Sequence, residues 1–142
     1  VYQAKLVIGD WSHTERFRVL IDPRVAEDGV TQSDLKAQES LSIQVRDSLS
    51  MANRLMERIK KAQESAEVSR KNKENLSAIY AKLVTASGPY PQPMLINQLS
   101  YLSSMLNRAD QKPGRDAYVR LDELNQQLSA YVSETKKILG DE

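Results

Sequence analysis

Apolar positions follow one rhythm at the start of the chain and another through the rest, and the change divides the sequence. In YQAKLVI, Tyr2, Ala4, Leu6 and Ile8 alternate with Gln3, Lys5 and Val7. In ERFRVLI, Phe17, Val19 and Ile21 alternate with Arg16, Arg18 and Leu20. Gly9-Asp10, between the two runs, is turn chemistry. A period of two on either side of such a pair predicts a β-hairpin with one apolar face. Asp22-Pro23 stops the second strand, since proline has no N–H to give to a ladder. The hairpin is therefore assigned to residues 1–23 and the polar stretch 24–32 to a linker. A two-stranded hairpin alone is marginal in water. It either packs on the rest of the chain or ends a larger sheet. A first residue of Val1 already in strand pattern favours the second expectation, a piece of a longer protein.

From Ser33 to Ser87 there is neither Gly nor Pro, and the rhythm becomes helical. Ser33 is a candidate N-cap, with Thr31 and Asp34 as an overlapping capping option. Leu35, Leu41, Val45, Leu49, Ala52, Met56 and Ile59 form one stripe, which lapses in KKAQESAEVSRKNKEN and resumes at Leu76, Ile79, Tyr80, Leu83 and Val84. One unbroken helix over this span would be about 80 Å long, so two helices with a polar turn near 64–74 are expected. SGPYPQP breaks the chain. A further helix carries Met94, Leu95, Leu99, Leu102, Met105, Leu106 and Ala109. Lys112-Pro113-Gly114 ends it, and Gly114 with Asp116 opens a last helix bearing Tyr118, Leu121, Leu124, Leu128, Tyr131 or Val132, Thr135 and Leu139.

The expected fold is mainly α: an antiparallel bundle of three or four helices over residues 33–142, with an N-terminal β-hairpin left from a truncated β-sandwich. Composition agrees, since five Gly and five Pro in 142 residues are few for a strand-rich fold. A net charge of +1 supplies no field to gather nucleic acid. No apolar run approaches the roughly 18 residues of a membrane span. The absence of cysteine removes disulfides, thiolate metal sites and a cysteine nucleophile. No cofactor is expected.

Candidate chemistry is sparse. His13 is the only histidine and stands near a strand start, with no P-loop, G-x-S-x-G or G-x-G-x-x-G in the chain; it reads as a surface histidine. Arg58, Lys60, Lys61, Arg70, Lys71 and Lys73 gather about the polar turn and could meet an acidic partner or an anionic glycan. Glu57, Glu64, Glu67 and Glu74 are interleaved with them, the pattern of a solvated tip. Tyr90, among the prolines of SGPYPQP, is a candidate aromatic-proline surface for a partner, or else packs its loop onto the bundle. Arg108, Asp110, Lys112, Arg115 and Asp116 crowd the Pro-Gly corner, where helix ends attract charge for dipole and capping reasons alone.

Three stretches together carry a resemblance: FRVLIDPRV, TQSDLKAQESLSIQVRDSL and GPYPQPMLINQLSYLSSMLNRADQKPGRDAYVRLDELNQQL. They resemble the C-terminal region of secreted bacterial BNR/Asp-box repeat β-propeller proteins, glycosyl hydrolase-like or sortilin-like, in which an Ig-like or fibronectin-like β-unit ends in a strand and DPR before a helical tail. The resemblance implies a non-catalytic accessory domain whose partners are the propeller and Ig-like parts of the same chain. It implies a secreted, periplasmic or cell-surface location. The alternative is an interaction module for an external protein or glycan. No Asp-box, S-x-D-x-G-x-T-W, occurs here, so no catalytic position carries over.

Overall fold

The computed structural model describes residues 1–140; the adjacent carboxylates Asp141 and Glu142 lie outside the described residues. Among the described residues, strands β1 (Tyr2–Ile8) and β2 (Trp11–Phe17) precede five helices: α1 (Pro23–Glu27), α2 (Gln32–Glu64), α3 (Arg70–Leu83), α4 (Leu95–Leu106) and α5 (Arg115–Leu139). The chain is mainly helical with an N-terminal antiparallel hairpin.

The hairpin is offset from its expected position. Gly9, at φ 57°, takes the left-handed conformation needed by the first residue of a two-residue loop. Pairing then runs from Ile8↔Trp11 to Tyr2↔Phe17. The second strand is therefore Trp11–Phe17 and not Glu15–Ile21: β1 has no residue left to pair beyond Phe17, and Val19 and Leu20 stand exposed. Directly opposed residues share a face. Tyr2, Leu6, Ile8, Trp11 and Phe17 accordingly lie together, with Ala4, His13 and Glu15 among them.

Residues 24–32, expected as a linker, contain most of α1. Asp22 caps this helix by accepting from the Arg24 N–H at 2.9 Å, and Pro23 opens it. An Asp-Pro pair that stops a strand is equally a cap followed by a proline at the first helical position. Thr31, rather than Ser33, caps α2: the Thr31 hydroxyl accepts from Asp34 N–H, and the Asp34 carboxylate accepts from Thr31 N–H.

Helix α2, about 50 Å long at 1.5 Å per residue, is the spine. Its C-terminus gives way at Ser65 to a short turn, and Ser69 caps α3 by accepting from Asn72 N–H. Cross-contacts fix the register. Gln38 of α2 meets Leu106 at the end of α4, and Ser48 meets Asn125 of α5. Gln63 meets Ser77 of α3, Lys82 sits over the Tyr131 ring, and Arg120 meets Gln98. So α2 and α5 run in the same direction, while α3 and α4 run against them, one after the other. The strictly antiparallel expectation fails for the α2/α5 pair. The connection between α3 and α4 carries Pro89, Pro91 and Pro93 and leads the chain onward instead of turning it back.

The core lies between these four helices. It contains Leu41, Val45, Ala52, Leu55 and Ile59 of α2, then Leu76, Ile79 and Leu83 of α3. Leu95, Leu99, Leu102 and Leu106 come from α4, and Leu121, Leu124 and Leu128 from α5. Met105, expected in the α4 stripe, lies on its exposed flank, and Leu55 rather than Met56 takes the core position on α2. Neither α1 nor either strand packs on this body.

Candidate functional site

The Pro-Gly corner between α4 and α5 is held by one buried side chain. Gln38 donates through Nε2 to the Ala109 carbonyl at 2.7 Å and to the Leu106 carbonyl, and its Oε1 accepts from Gln111 N–H at 3.1 Å. The Leu106 carbonyl is among those a helix leaves without a partner at its C-terminus. Pro113 is buried beneath the corner. Gly114 caps α5, and a Cβ there would run into the Asp116 carboxylate. At the start of α2 two Thr31 hydrogen bonds hold the Asp34 carboxyl below its ordinary value, and the Lys112 charge adds to them weakly.

Beside this corner, α4 and α5 leave an open groove of about 730 Å³, a size that suits small ligands and peptide side chains. Its walls include Pro93, Tyr101, Leu102, Met105, Pro113 and Ala117. Tyr101 is 69% exposed. Asp116 is the one carboxylate of the lining and Arg120 the one cation. Arg120 is already engaged, with Gln98 and with Glu123 at 2.6 Å. The groove offers apolar contact and a rim of amides, and its lining has no Ser, Thr, Cys, His or Lys.

The residues singled out from the sequence are scattered: besides the charges at the Pro-Gly corner, they lie at the α2–α3 turn, in the α3–α4 connection and on the hairpin. Arg58, Lys60, Lys61, Arg70, Lys71 and Lys73 lie near the α2–α3 turn. Arg58 donates to the Gly140 carbonyl at 2.8 Å, Lys60 pairs with Glu57 at 3.2 Å, and Arg70 pairs with Glu74 at 3.1 Å. Lys61 and Lys71 are exposed and Lys73 is half-buried. Tyr90 is elsewhere, beyond the whole of α3, about 20 Å along the helix. It does not pack its loop onto the body. At φ 52° the residue turns its ring wholly into solvent. The loop is instead anchored by Thr85, whose hydroxyl accepts from Met94 N–H at 2.9 Å. His13 is exposed, 2.9 Å from Glu15 and stacked on Trp11. Among the described residues no group of His, Asp and Glu is placed to hold a metal ion, and no helix is long and apolar enough to cross a membrane.

The largest anomaly is the hairpin. Tyr2, Leu6, Ile8, Trp11 and Phe17 are between 47% and 64% exposed although they share one face. Tyr2 and Phe17 stack at 5.7 Å across the open end. The opposite face carries Gln3, Lys5, Ser12, Thr14 and Arg16, with Val7 as its one apolar residue. One apolar and one polar face is the form of a sheet that covers a core on one side only, and here the core side is bare. Sequence alternation predicted the Tyr2, Ala4, Leu6 and Ile8 side of this face together with Phe17, but not Trp11; that no helix packs on it is visible only in three dimensions.

No family model matches this chain, and neither does any curated protein or solved structure.

Proposed function

We propose that these residues form a non-catalytic accessory domain of a larger secreted protein of the BNR/Asp-box propeller kind. In this reading the bundle of four helices, α2–α5, is a self-supporting body. The hairpin is its attachment, the last two strands of an Ig-like or fibronectin-like sheet. The observation that carries the reading is the bare apolar face of the hairpin. Half-exposed aromatic side chains of 150–250 Å² each, with Leu6 and Ile8, make a patch of roughly 500 Å², at the upper end of what a monomer's surface carries. Covering it is worth on the order of 10 kcal/mol at about 25 cal/mol per Å², as much as the stability of a whole domain. A surface of that value calls for a neighbouring layer; the resemblance of FRVLIDPRV to the end of an Ig-like unit supports one, although in this fold only its Phe17 lies in β2 and its DPR opens α1.

The test uses the full gene product. Its coding sequence upstream of Val1 should hold repeated S-x-D-x-G-x-T-W boxes, and Leu6→Asp should loosen the preceding β-unit to protease while leaving the helical melt in place. A gene product without such repeats, or a β-unit indifferent to Leu6→Asp, would contradict the reading.

A second reading, an interaction module for an external protein or glycan, is favoured by the α4–α5 groove with its exposed Tyr101 and Met105 more than by the Arg58–Lys73 tip, where Lys60 and Arg70 already have carboxylate partners.

A further inference from the structure

We draw no further inference here: the strongest candidate, the groove between α4 and α5 walled by Tyr101, Met105, Pro113 and Ala117, is an unpartnered apolar surface with nothing in the structure to show what covers it.

Discussion

Gln38 shows how much a single polar side chain can hold. Its amide uses both ends of its hydrogen-bonding capacity on backbone groups of Leu106, Ala109 and Gln111, so removing it breaks all three bonds and leaves the buried Leu106 carbonyl without this donor. Net hydrogen bonds are worth about 0.5–1.5 kcal/mol each, and unmade buried ones cost more. Gln38→Ala should therefore lower the unfolding free energy by about 2–4 kcal/mol in urea titration, whereas Lys112→Ala and Arg115→Ala, on exposed positions of the same corner, should each stay within about 0.5 kcal/mol. Nothing in the local sequence marks Gln38, because its partners lie 68 to 73 positions away and are main-chain atoms. Thr135 is the opposite case. Its hydroxyl is fully buried and has no hydrogen-bond partner among the described residues. Thr135→Val keeps the shape and removes the unpaired group, so thermal unfolding should move upward, by an amount corresponding to about 1 kcal/mol. A fall in melting temperature would mean that the hydroxyl has a partner in solution.

At the scale of elements, helices were legible where leucines repeat and chain breakers punctuate. The leucines of the α4 and α5 stripes, the Pro113-Gly114 corner and the polar break before α3 follow from local rules; Met105, Ala109 and Tyr118, expected in the same stripes, are exposed, and Ala109 lies past the end of α4. The hairpin was half legible: alternation located β1, but Val19 and Ile21 extended the pattern of β2 past the end of its partner strand. A pattern reports which residues could line a face; the length of the opposite strand decides which of them do. Leu124, wholly buried on α5, should cost about 2–5 kcal/mol when replaced by Ala. The α2 cap has a pH signature. Hydrogen bonds from the Thr31 hydroxyl and N–H hold the Asp34 carboxyl below its ordinary value of 3.8, with Lys112 assisting. The cap is therefore fully present above that value. It is lost as pH falls through the lower value of the folded state, where the carboxyl takes up a proton. Melts of the wild type and Asp34→Asn should differ at neutral pH and converge in acid. A gap that persists in acid would show that the charge is not what the cap contributes.

For the whole molecule, the division between hairpin and helices dominates. The change of period in the sequence marks where strands give way to helices, but β2 ends at Phe17 and α1 lies in the stretch expected to be a linker. The separation itself depends on the absence of packing between strands and helices, which no periodicity encodes. The same holds for the parallel course of α2 and α5, set by a proline-bearing connection that carries α4 onward. Residue-resolved amide hydrogen exchange on the 142-residue chain tests the central claim most directly. If the helices are a self-supporting body and the hairpin an attachment with nothing to cover it, the core amides of α2–α5 exchange only through global opening. The amides of Tyr2–Ile8 and Trp11–Phe17 then exchange almost as fast as in an unfolded peptide. Strand amides protected to the same free energy as Leu41 or Leu124 would contradict the account, because the hairpin would then be folded and covered without any neighbouring domain.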